Sequence, residues 1–152
     1  MQRSEPPVIK TFDASGWKLG IVVAQFNGHI TKELLASALK RAKHYKLSDS
    51  NIKVVHVAGA VEIPLVLQRM AAGGKYDALL SIGCVIRGDT SHFEYVCMFV
   101  TEVVLKVQLA HNIPIGFGVL TCENEAQAEA RAGLGGEHLD AVMHQAQLLK
   151  QL

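Results

Sequence analysis

Four short apolar runs, each set off from the next by a longer stretch of helical periodicity, restrict this chain to very few architectures. The runs are residues 17–24, 52–57, 77–86 and 113–120, and the third, DALLSIGCVI, is apolar at almost every position. Successive side chains of a strand point to opposite faces, so continuous apolar character suits a strand covered on both sides. Residues 30–45, 63–72, 93–109, 125–132 and 139–152 instead carry apolar residues at helical spacing. The stretch from 93 is too long for a strand, and Val96, Phe99, Val100, Val103, Val104 and Val107 predict a largely buried helix. Strands joined through helices cannot form hairpins. They pair in parallel through right-handed crossovers, which predicts a three-layer α/β sandwich around a four-stranded parallel sheet.

The chain before residue 17 breaks this rhythm. Residues 1–16 carry Pro6-Pro7 and a turn signature from Asp13 to Gly16, and read as an arm in which residues 8–12 can add an edge strand. Residues 17–152 then form a single domain, long enough for a real core. Hydrophobic residues make up 49 % of the chain and charged ones 19 %, a balance that suits burial of part of the surface in an oligomer. The formal charge of +1 gives no electrostatic case for nucleic acid or an anionic membrane. No apolar run approaches the ~20 residues of a membrane span, and MQRSEPPVIK lacks a signal peptide's apolar core, so a cytoplasmic location is expected. Cys84, Cys97 and Cys122 have no metal-ligand spacing and read as buried free thiols, Cys84 as a packing residue.

In an open parallel sheet the ligand sits outside the carboxyl ends of the strands. The loops there are Gln25-Phe26-Asn27-Gly28-His29, Ala58-Gly59-Ala60-Val61-Glu62, Arg87-Gly88-Asp89-Thr90-Ser91 and Thr121-Cys122-Glu123-Asn124. They hold no G-x-G-x-x-G and no Walker loop, so dinucleotides and nucleoside triphosphates do not fit. The third loop is the most informative. Gly88 frees the backbone to turn, Ser91 with Glu94 forms a capping-box pattern, and the helix start offers N–H groups and a positive dipole end to an anion. His92, in the first turn, either moves a proton near neutral pH or is an ordinary solvated side chain. Phe26 either staples its helix or gives a flat ring a platform. Glu62, before Ile63-Pro64, either favours the helix dipole or accepts hydrogen bonds from a polyol, and Arg131 either closes its helix or binds phosphate.

Taken in order, QFN at 25–27, GAVEIP at 59–64, GKYDALLSIGCVIRGDTSHFEYV at 74–96, IPIGFGVLT at 113–121 and EARAG at 129–133 resemble the lumazine synthase family of riboflavin biosynthesis. The resemblance spans most of the chain, and GCVIRG followed by T-x-H-[FY] is its most specific part. It implies a flavodoxin-like sandwich whose arm pairs against a neighbour's sheet in a homopentameric ring, with active sites between adjacent subunits. It implies condensation of 5-amino-6-(D-ribitylamino)uracil with 3,4-dihydroxy-2-butanone 4-phosphate, releasing phosphate and water, without metal or redox cofactor. Carried over residue by residue, Phe26 would stack on the pyrimidine, while Ala60, Val61 and Glu62 line its ring and ribityl chain. Cys84, Val85 and Ile86 would add backbone contacts, and Phe117 would close over the ring from the neighbouring subunit. Asp89 and Thr90 would offer backbone N–H groups to the phosphate, Arg131 its guanidinium, and His92 would shuttle protons.

The pattern departs from the family after Arg131. Only Leu134-Gly135-Gly136-Glu137-His138 precedes the last helix where the family has a longer linker, and no lysine follows Arg131 before Lys150, which implies a less basic phosphate pocket. Asp89 puts a carboxylate where small residues are usual. Val61 replaces a frequent aromatic, which implies a looser ring pocket.

Overall fold

A computed structural model of the chain describes residues 5–152. Each apolar run becomes a strand: β1 (Leu19–Ala24), β2 (Ile52–Val57), β3 (Ala78–Ile86) and β4 (Ile115–Cys122). All pairings are parallel, in the order β2-β1-β3-β4. The periodic stretches become α1 (Gly28–His44), α2 (Ile63–Ala72), α3 (His92–His111), α4 (Glu125–Glu129) and α5 (Gly135–Gln151). This is the expected flavodoxin-like α/β sandwich. Leu19, Ile21 and Val23 of β1 pack towards α1 and α5, and Val22 and Ala24 towards α2, so a strand that is apolar throughout feeds two cores. Chain growth reverses between β1 and β3, and that switch point opens a crevice at their carboxyl ends.

The boundaries shift where a neighbour intervenes. α4 is capped by Asn124, whose side chain accepts the Gln127 N–H at 3.0 Å, and ends at Glu129 rather than 132; a single 3-10 turn, Ala132–Leu134, follows. The last helix begins at Gly135 rather than 139. A Cβ on Gly135 would lie 1.8 Å from the Leu34 carbonyl oxygen, so this glycine serves close packing of α5 on α1 and not a linker. The same contact region buries the Asp140 carboxylate, which accepts the Tyr45 hydroxyl at 2.7 Å and pairs with Arg41. β4 starts after Pro114, which has no N–H to give a ladder.

Residues 8–12 form no strand within the chain. Val8 is 94 % exposed, while Phe12 leans on the rings of Trp17 and Tyr45, each 5.2 Å away. The first four residues of the expected arm lie outside the described residues. No helix among the described residues is long and apolar enough to cross a membrane.

Candidate active site

A cleft of about 340 Å³ lies at the switch point, walled by the loops after β1, β2 and β3. The loop after β1 is shaped by Asn27, whose backbone is left-handed (φ 54°) and whose side-chain amide donates to the Cys84 carbonyl at 2.8 Å. That conformation suits asparagine better than most residues. It ties the loop to β3 and sets Phe26 on the cleft wall. Phe26 is 73 % exposed on that wall, so little of its ring is packed against its own helix. After β2, Glu62 Oε2 accepts the Gly59 N–H at 2.9 Å and closes the turn that starts α2, with Pro64 in the first turn. Ala60, Val61 and Glu62 thereby line the second wall.

The third wall comes from β3 and its turn: Cys84, Val85, Ile86, Thr90 and His92. The Cys84 thiol is pushed up to about 12, first by burial and then by Cys122 and Glu125. It stays protonated, in keeping with packing and not with a nucleophile. The turn itself is not closed by the expected capping box. Ser91 has helical backbone angles and its hydroxyl caps nothing; the Glu94 and Tyr95 N–H groups donate to the Ser91 carbonyl, and the His92 N–H to Thr90 Oγ1 at 3.3 Å. The Glu94 carboxylate turns to the Arg87 guanidinium instead, a charged donor that outcompetes a backbone N–H. Gly88 has no left-handed φ and a Cβ there would meet open space, so the turn does not demand glycine for its backbone angle.

Three expected residues lie outside this cleft. Asp89 is exposed in the turn but does not line the cavity. Phe117 sits midway along the edge strand β4, on the face of Ile115 and Val119, and is 39 % exposed because α3 leaves it uncovered. Arg131 donates from Nη1 to the Gln127 carbonyl at 2.8 Å, the helix-closing role, and does not border the chain's own cleft. Lys150 cannot replace the missing lysine. It pairs with Asp77 at 2.7 Å and lies 4.7 Å over the Trp17 ring, at the opposite, amino end of the sheet. Sequence reasoning missed Asn27, whose signal was a residue tolerant of left-handed backbone right after a strand, and it missed Phe93 and Val96, which also line the cleft. Among the described residues no cluster of His, Cys, Asp or Glu is arranged to hold a metal.

A free aromatic ring facing a helix start and a histidine, across the switch point of a parallel sheet, marks an α/β enzyme of small-molecule substrates. Residues 16–150 match the sequence pattern of the family described as 6,7-dimethyl-8-ribityllumazine synthase. The 6,7-dimethyl-8-ribityllumazine synthase of Desulfovibrio desulfuricans is 41 % identical over 145 residues, which cover 92 % of this chain and 93 % of that protein. The chain belongs to the lumazine synthase family, transferases of riboflavin biosynthesis.

Proposed function

We propose that the cleft of one subunit and the β4 edge of the next together form the site that makes 6,7-dimethyl-8-ribityllumazine, in a ring of five subunits. The observation that carries this reading is the separation of Phe117 and Arg131 from a cleft that holds Phe26 and His92. A head-to-tail contact between copies brings such separated halves together, and closes into a ring when the rotation permits. Tyr95, Met98, Phe99, Leu105 and Leu109 leave an exposed apolar face on α3 that such a contact would cover, and the arm at residues 8–11, which pairs with no strand of its own chain, can join a neighbour's sheet.

In that site the pyrimidine stacks between Phe26 and the neighbour's Phe117, and the ribityl hydroxyls donate to the Glu62 oxygen that Gly59 leaves free. Backbone N–H groups of Asp89 and Thr90, with Arg131 of the neighbouring subunit, hold the phosphate. The 5-amino group adds to the ketone and loses water to give an imine, inorganic phosphate leaves, and ring closure loses a second water. His92, beside the departing phosphate, moves the protons. Holding two substrates in reacting geometry supplies much of the rate. The three free thiols, Cys84 and Cys122 buried as expected and Cys97 only half-buried, suit a cytoplasmic setting.

The test mixes purified protein with both substrates and follows lumazine absorbance and phosphate release, with mass measured in solution. Co-assembly of Phe26→Ala with Phe117→Ala subunits raises activity above that of either variant alone. Hybrids no more active than either variant, or an active monomer, sink the shared site.

A further inference from the structure

The phosphate side of the cleft rests on a side chain to which the reaction above gives no task. Arg87 directly follows β3, and its backbone N–H still obeys the sheet, donating to the Cys122 carbonyl at 2.9 Å. Its guanidinium spans three segments. Nε and Nη2 grip the Glu123 carboxylate at 2.5 and 3.4 Å, Nη1 pairs with Glu94 in the first turn of α3, and the group lies 4.4 Å over the Phe93 ring. The two carboxylates hold the guanidinium charged, and it draws the Glu94 carboxyl below its ordinary value.

The connection continues beyond Glu123. The Glu123 N–H donates to the Gln127 side-chain oxygen at 2.8 Å, and the Gln127 carbonyl accepts Arg131 at 2.8 Å. A continuous polar chain thus runs from the α3 turn beside His92, through Arg87, Glu123 and Gln127, to Arg131. Arg87 is committed to two carboxylates and is not free to bind an anion itself. Exposed ion pairs add little to stability, so the fold has small need of it. What a planar fork does well is fix the mutual geometry of the groups it bridges.

We propose that Arg87 is a positioning residue that locks the β3–α3 anion turn to the segment carrying Arg131, so that both phosphate-handling elements keep one geometry. This rests on the reading of the site given under Proposed function. In a ring, a subunit's own anion turn and the Arg131 it lends to its neighbour then move as one piece.

The test uses the assembled full chain with Arg87→Gln, Arg87→Lys, Glu123→Gln and the Arg87→Gln/Glu123→Gln pair. KM for each substrate, inorganic phosphate affinity by calorimetry, and thermal unfolding are measured together. Arg87→Gln raises KM for the phosphorylated ketone by about tenfold or more, within the ~100-fold that a 1 Å misplacement costs. Phosphate affinity falls in parallel, while the pyrimidine KM stays within about twofold and the melting temperature moves by only a few degrees. Arg87→Lys recovers only part of the loss, because an ammonium cannot fork. The double variant is no worse than Arg87→Gln alone, as expected for partners in one chain. An equal rise in both KM values, an unchanged phosphate affinity, or restoration by Glu123→Gln, which would make the role one of charge balance, overturns the proposal. If the unsubstituted protein forms no lumazine, the functional reading fails by itself, and the phosphate titrations still decide whether Arg87 organises the turn.

Discussion

Phe26→Ala separates the work of the cleft from the work of the fold. Nearly three-quarters of Phe26 is uncovered, so of the ~200 Å² a phenylalanine offers, about 150 Å² is free and about 50 Å² packs on the protein. At ~25 cal/mol per Å², losing the packed part costs about 1 kcal/mol, a fall of ~2–4 °C in melting temperature for a chain of this size. A flat ring stacked on the platform covers about half of the free surface, worth about 2 kcal/mol by area and about 1 kcal/mol more by stacking. With ~1.4 kcal/mol per factor of ten, the pyrimidine and the lumazine product are expected to bind about a hundredfold more weakly. Fluorescence titration with the product, run beside KM for each substrate and a melting curve, reads all three quantities. The KM for the phosphorylated ketone stays within about twofold, because that substrate does not need the ring. A loss of product affinity below about fivefold, or a melting fall beyond ~10 °C, would refute the platform and make Phe26 a structural side chain after all.

His92→Ala is expected to slow turnover by no more than about a hundredfold, the lower end of acid–base catalysis, since approximation of two substrates supplies the rest; complete loss of single-turnover product formation contradicts this. Arg131→Ala raises KM for the phosphorylated ketone and leaves the pyrimidine KM in place, and steady-state kinetics showing an unchanged ketone KM would remove Arg131 from the site. His138, packed against Gly118 and held below its ordinary 6.5 chiefly by burial, with Glu137 opposing, takes a proton less readily when folded. The unfolded chain therefore binds that proton first, so stability is full above pH 6.5 and falls as pH drops below it. His138→Gln flattens that part of a melting-temperature profile, whereas parallel profiles for the two proteins exclude His138 as its source.

The alternation of strand and helix was legible because a strand covered on both faces and an amphipathic helix use apolar residues with different periods. β2 and α2 begin and end where the pattern places them, α2 stopped by Gly73-Gly74. Misreadings fall where a local rule meets a tertiary competitor. Gly135-Gly136 resembles a linker, yet the Leu34 backbone presses so close that only glycine lets the helix continue there. Ser91 and Glu94 have the spacing of a capping box, yet Arg87 takes the carboxylate and is held from the other side by Glu123, 36 residues along the chain. No window of sequence contains both partners.

The candidate site divides along the same line. Residues on the loops after β1, β2 and β3 were legible as a group, because a parallel sheet brings its carboxyl ends to one rim whatever the order of its strands. The exposure of Phe117 depends on the order itself. With β4 at the edge, beside β3 alone, α3 covers Ile115 and Val119 but not Phe117, and the ring is left half-open on the outer side. In a central position the same residue would be core, with a helix against each face of its strand. Phe117, which only the family resemblance singles out within its apolar run, is thus left exposed on the surface, and that exposure comes from topology, not from any property of the residues around it.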